Sequence, residues 1–178
     1  GCHNINLVSP SHVIAQIVEA LPIAIEAGLN IPLVYNTGGY DNPEMIKMLD
    51  GIIDIYMPDI KFGDNKTGLK LANAKNYWDT CKQCIKIMYD QVGDLKIVND
   101  IATKGLMIRH LILPDDLNCS QAVFEFIADE ISTNTYLNIM DQYNPAYKAN
   151  TICALNRKIT TREYHEAIAL AESCGLTR

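Results

Sequence analysis

The sequence predicts an α/β fold around a parallel β-sheet. Three observations carry this. Short apolar, β-branched runs alternate with longer amphipathic stretches about five times. The runs are apolar throughout, as strands covered on both faces are. The stretches between them are bracketed by capping residues and glycines, as helices are. Five units are too few for a closed eight-unit barrel, so an open doubly wound sheet and a partial barrel both satisfy the order. No low-complexity linker or internal repeat divides the chain, and residues 1–178 read as a single domain.

In chain order, the first strand is expected over Asn4–Ser9. A helix follows from about Ser11, its expected N-cap, to Gly28, with Pro22 a potential kink. The second strand is Ile31–Asn36. "TGGY" then turns into "DNPEMIKMLDG", where Asp41 or Asn42 can cap and Pro43 suits the first helical turn. The third run, "IIDIYM", ends at Pro58, and a polar stretch leads to one long helix through Gln91. Asn99-Asp100 between two short apolar pieces predicts a small hairpin. The fourth strand is Leu106–Pro114, the next helix Ser120–Ile131, and the fifth strand Thr135–Tyr143. "NPAYKANTICALNRKI" reads as irregular, and a final helix is capped by Thr160 or Thr161, with Glu163 in its first turn and Gly175 at its end.

Composition narrows the function. The 178 residues are 48% hydrophobic and 20% charged, which is globular and ordered. The net charge of −6 argues against non-specific nucleic-acid binding and against a polybasic membrane anchor. No apolar run approaches the length of a membrane span, and no signal peptide heads the sequence. The six cysteines are scattered, which suits reduced thiols and a cytoplasmic location. "CKQC" places Cys81 and Cys84 one turn apart in a helical context. Without a second such pair, this reads as a helix carrying two thiols rather than a metal or redox site. His3 and His12 have no partner at metal-ligand spacing. Ser9 and Ser11 lack a glycine-rich elbow, and no nucleotide-binding glycine motif occurs.

In parallel α/β folds, function collects at the carboxyl ends of the strands. Here those ends carry Ser9 to His12, then Asn36, Thr37 and Gly38, then Asp59 and Lys61, then Asp141, Gln142 and Tyr143, while Arg109 and His110 lie inside the fourth strand. Asp59 and Lys61, two apart in an extended segment, share a face and can hold a zwitterion between them. Arg109 lies among aliphatic residues, where a charge needs a partner. Arg109 and His110 must point to opposite faces of the sheet.

"VYNTGGY", "IYMPDIKF", "MIRHLILP" and "NIMDQYNPAYKA", in this order, resemble the radical S-adenosylmethionine proteins related to pyruvate formate-lyase activating enzyme. The resemblance covers nearly the whole chain. It implies a partial TIM-type (β/α) barrel, about five parallel units of a six-unit core. It also implies an S-adenosylmethionine cofactor, a four-iron four-sulfur cluster on a C-x-x-x-C-x-x-C loop, and hydrogen abstraction by a 5′-deoxyadenosyl radical, in activases from a glycine of a glycyl-radical enzyme partner. This sequence has no C-x-x-x-C-x-x-C, so a cluster loop is expected upstream of it in a longer protein, and this piece alone is expected to be inactive.

Carried over by position, the resemblance makes nine residues cofactor contacts. Ser9 and Ser11 occupy the place of the family's Gly-Gly-Glu strand end, without its Glu. Asn36 and Thr37 match the next strand end. Asp59 and Lys61 match a D-x-K that meets the methionine moiety and ribose, Arg109 matches an Arg that pairs with the carboxylate, and Gln142 and Tyr143 lie near the adenosine. Two alternatives stay open from the residues alone: a barrel lyase or aldolase using Lys61, and a non-catalytic protein-binding domain. The edge left by a missing strand is further expected to drive self-association.

Overall fold

The computed structural model describes all 178 residues. The chain alternates as expected, with shifted boundaries. Strand β1 is Ile5–Val8, and helix α1 is Ile14–Glu26. Ser11 does not cap α1. Pro10–His12 form a separate 3-10 turn entered through Ser9 in the left-handed region (φ 52°), and the Ser11 hydroxyl turns inward to Asp41. Strand β2 (Leu33–Thr37) leads to α2 (Pro43–Lys47), capped by Asn42, whose side chain accepts from the Glu44 amide at 2.9 Å. Asp41, the other expected cap, is buried instead.

Strand β3 is Ile55–Ile60 and runs straight through Pro58. The expected end of the strand at Pro58 is therefore wrong, and Asp59 lies inside the strand. Pairing with the strand that carries Leu106 and Arg109 stands on either side of the proline, at Tyr56↔Leu106 and Asp59↔Arg109, and skips Met57 and Pro58, whose ring offers no N–H. The one expected long helix is two. Helix α3 (Asn65–Ala72) is capped by Asp64, which accepts from the Thr67 amide at 2.7 Å, and stops at left-handed Asn73; α4 (Tyr77–Val92) follows.

The hairpin is present. Strand β4 (Lys96–Val98) turns into β5 (Ile101–Leu111) through Asn99 and Asp100 at φ 51° and 63°, the two left-handed residues a tight hairpin turn requires. Helix α5 covers only Ser120–Phe126 and widens into a π-turn over Ile127–Ile131. Strand β6 (Tyr136–Met140) and α6 (Thr161–Ser173) complete the series, and Thr160 with Glu163 forms a capping box.

The four long-range parallel pairings decide the layout. Strands β1, β2, β3, β5 and β6 are parallel and lie side by side in chain order, with β4 antiparallel to the start of β5. The order never reverses, so the sheet has no point at which connections switch sides, as they do in doubly wound folds. The helices pack on one face. There Tyr35, Tyr56, Ile60, Leu106 and Ile108 meet Ile46, Ile85, Met88, Phe124 and Ile127 in the main core. The opposite face has only a small cluster, Val34 and Ile55 with Leu95. At the flank, β1 pairs with β2 alone, and Val8 is 67% exposed. No helix is long and apolar enough to cross a membrane.

Candidate functional site

Alternation along the strands sets the site. On β3, Tyr56 and Ile60 face the helices, so Asp59 faces the other way. On β5, Leu106, Ile108 and His110 are buried on the helix side, so Arg109 joins Asp59 on the open face, and the two are partners in register. Arg109 Nε donates to Asp59 Oδ1 at 2.7 Å, and Arg109 Nη2 donates to Asn36 Oδ1 of β2 at 2.9 Å. Lys61 Nζ donates to the second carboxylate oxygen, Asp59 Oδ2, at 2.6 Å. Four residues from three adjacent strand ends thus form one clamp. Its side chains are partly open: Asp59 is 19%, Arg109 24% and Lys61 42% exposed.

The backbone beneath is fixed. The Lys61 amide donates to the Tyr77 hydroxyl at 2.8 Å, which anchors the residue to α4. Burial pushes the Tyr77 phenol far above its ordinary range, so it stays protonated. The loop after β2 lies directly on β3. A Cβ at Gly39 would come within 2.3 Å of the Asp59 carbonyl oxygen, and Gly39 has φ +77°, so no other residue fits.

One carboxylate stands against two cations, which leaves one unit of positive charge at a half-open rim of an otherwise acidic protein. Ammonium donors of Lys61 beyond the one on Asp59, together with the Asn36 amide hydrogens, remain for a ligand. An amino-acid head group would match this set, its carboxylate reaching Lys61 and the remaining Arg109 N–H groups and its ammonium reaching Asp59.

The other expected contacts do not join the clamp. Thr37 follows Asn36 in the strand and so faces the helices. It donates to Asp41 Oδ2 at 2.6 Å, while Ser11 and Tyr35 donate to Asp41 Oδ1, Tyr35 at 3.2 Å. This cluster is a buried carboxylate satisfied by neutral hydroxyls. It ties the loop after β2 to the turn after β1. Ser9 sits beside the site only through its backbone, its amide donating to the Asn36 carbonyl at 2.8 Å. Gln142 lies exposed beyond β6, with its amide 3.5 Å from Met140 Sδ. Tyr143 packs on the helix-side core and donates to the Leu155 carbonyl at 2.8 Å.

His110 is likewise structural. Its Nδ1 contacts the Ile60 carbonyl at 2.6 Å, and its Nε2 lies 3.0 Å from both the Ser120 hydroxyl and the Asn118 amide. Burial lowers its pKa to about 4, so the ring is neutral, with Nδ1–H donating and Nε2 accepting. Cys81 and Cys84 face the core from α4, and burial pushes both thiols up to about 12; all six cysteines are free.

Three neighbours of the clamp do not stand out in the sequence. Asn138 of β6 stands in register beside Arg109 and is exposed. A lone polar residue inside "YLNIM" was the available signal, but its face depends on register. Asp41 reads as a helix cap, and Gly39 as an ordinary turn glycine.

No known protein family matches the chain, and no solved structure matches it. It is 35% identical over 148 residues to an uncharacterized protein of the archaeon Methanocaldococcus jannaschii. The match takes in 83% of this chain and 40% of that protein, so the chain spans less than half of its relative's length.

Proposed function

We propose that this chain is the carboxyl-terminal part of a radical S-adenosylmethionine partial barrel, of the kind that activates glycyl-radical enzymes. The observation that carries the reading is the clamp. Asp59, Lys61, Arg109 and Asn36 meet within hydrogen-bonding distance on the face away from the helices, at the carboxyl ends of adjacent parallel strands. The unbroken strand order supports the barrel, because a singly wound sheet with helices on one side is the arrangement a barrel wall has.

In this reading Arg109 and Lys61 hold the methionine carboxylate, Asp59 accepts the methionine ammonium, and Asn36 fixes the Arg109 guanidinium. When bound next to its cluster, S-adenosylmethionine supplies a 5′-deoxyadenosyl radical for hydrogen abstraction. No group of three His, Cys, Asp or Glu side chains is gathered here to hold a metal. The residues therefore fit the cofactor's amino-acid end and not an iron–sulfur cluster, whose thiolates the reading assigns to a longer protein. Asp59 and Arg109 orient each other, and the half-open rim leaves the methionine end a path in.

Titration of S-adenosylmethionine into the 178-residue chain, followed by calorimetry, tests this. The expected result is saturable binding with Kd on the order of 0.1–1 mM, weakened about tenfold or more by Asp59→Ala or Arg109→Ala. Absence of saturable binding to the folded chain, or equal binding by both variants, overturns it. Borohydride trapping of a carbonyl compound on Lys61 would favour a barrel lyase instead. Against that alternative, Lys61 Nζ is committed to Asp59 at 2.6 Å in a half-exposed setting, not enclosed by apolar groups.

A further inference from the structure

A cleft of ≈ 290 Å³ opens beside Lys61, between the loop after β2 and the turn joining α3 to α4. Tyr40, 45% exposed, is its open aromatic wall, and buried Tyr77 and Phe62 lie behind it. Tyr40 stacks on Tyr77 at 5.7 Å with a 24° interplanar angle, and Phe62 meets Tyr77 edge-on at 5.2 Å. Ala74 lines the side formed by the α3–α4 turn, and a Cβ built at Gly38 would stand 3.7 Å from Lys61 Nζ. The tyrosine hydroxyls are already engaged. Tyr40 donates to the Lys75 carbonyl at 2.7 Å, which ties the β2 loop across to the turn, and Tyr77 accepts from the Lys61 amide.

Lys61 is the sole charged residue lining the cleft. Its ammonium has three donors, one of them on Asp59. An open, mostly apolar cleft with one cation at its edge suits an anion carried on a compact apolar body. The size narrows the class. A cavity of about 150 Å³ holds benzene, and ligand pockets usually begin near 300 Å³, so this cleft accommodates one ring and its substituent.

We propose that this cleft is a binding site for a small monocarboxylate bearing a single ring or a compact branched apolar group, its carboxylate on Lys61 and its body against the exposed Tyr40 ring and the α3–α4 turn at Ala72 and Ala74. The site is additional to the clamp and shares only Lys61 with it. Occupation by a carboxylate draws Lys61 Nζ toward the cleft and competes with Asp59 for it.

Sodium benzoate and its uncharged isostere benzamide are the probes, and amide chemical shifts of the ¹⁵N-labelled chain are the readout. Benzoate at millimolar concentration is expected to give saturable shifts at Gly38, Tyr40 and Ala74, with benzamide at least tenfold weaker. Ala74→Trp, which fills the cleft from the half-buried α3–α4 turn, should abolish the benzoate response while spectral dispersion is kept. Should that variant not fold, Lys61→Met carries the test, with an expected loss of tenfold or more. No saturable shift with benzoate, equal response to benzamide, or unchanged benzoate affinity in the folded variant would overturn the assignment.

Discussion

The carboxyl end of the sheet carries two polar assemblies, one on each face, built on opposite principles. On the helix side, Asp41 is 6% exposed and is satisfied by Ser11, Tyr35 and Thr37, all neutral donors. Nearby on the same side, buried His110 is held between the Ile60 carbonyl, Ser120 and Asn118. On the open face, Asp59 is shared by two cations, and donors are left over. The buried assembly is closed: it offers nothing to a ligand and makes the loops rigid. The half-open one is incomplete, and its surplus charge is what a ligand would complete. Burial with full satisfaction marks structure, and partial exposure with spare donors marks a binding site.

This contrast can be broken by substitution. Asp41→Ala leaves the buried Thr37 hydroxyl without its acceptor and the buried Tyr35 hydroxyl with only a long contact to Ser11 at 3.4 Å, and should cost about 2–4 kcal/mol of stability in urea unfolding. Asp59→Ala should cost at most about 1 kcal/mol, because the cations it leaves reach water. Equal losses in the two variants would erase the distinction between the faces.

Acid sharpens it next. His110 has its pKa lowered by burial from 6.5 to about 4, so the unfolded chain binds the proton more readily than the folded one. The neutral ring's contribution is whole above pH 6.5 and falls away as the pH drops toward 4, by about 3 kcal/mol in total. Unfolding free energies measured between pH 7 and pH 4 should show this slope, and His110→Gln should flatten it. Asp64 is held below the usual carboxylate range, desolvation by burial being outweighed by hydrogen bonds from Thr67, and Glu163 is held far below it chiefly by Arg157. Their losses begin as the pH falls through their unfolded values, 3.8 for Asp64 and 4.5 for Glu163, so the onset of the Glu163 loss overlaps only the acid end of the His110 window. A small effect belongs to Ser11→Ala, which removes one of the Asp41 donors at an exposed position and should lower stability by about 0.5 kcal/mol in the same urea experiment, leaving the clamp intact.

Much of this was legible in the residues. The apolar runs marked every long strand, and the two-residue spacing of Asp59 and Lys61 put both on one face, beside Arg109. The alternation that separates Arg109 from His110 applies equally to Asn36 and Thr37, so Thr37 could have been excluded from the clamp without coordinates. Pro58 misled because a proline inside a strand costs a ladder bond that only the neighbouring strand's pairing reveals as dispensable. Ser11, Tyr143 and Asp41 were illegible for another reason. Their partners, at Asp41, Leu155 and Thr37 with Tyr35, are set by tertiary contacts between loops, and local spacing carries no trace of these.

The strand order has a consequence for how the chain acquires its shape. Every parallel strand docks against the one laid down before it, so during synthesis each newcomer finds its hydrogen-bonding template already waiting. Assembly can advance from the amino end as a zipper, with no early strand held open for a late arrival, and the last clamp partner to emerge, Arg109, locks onto a carboxylate that is already in position.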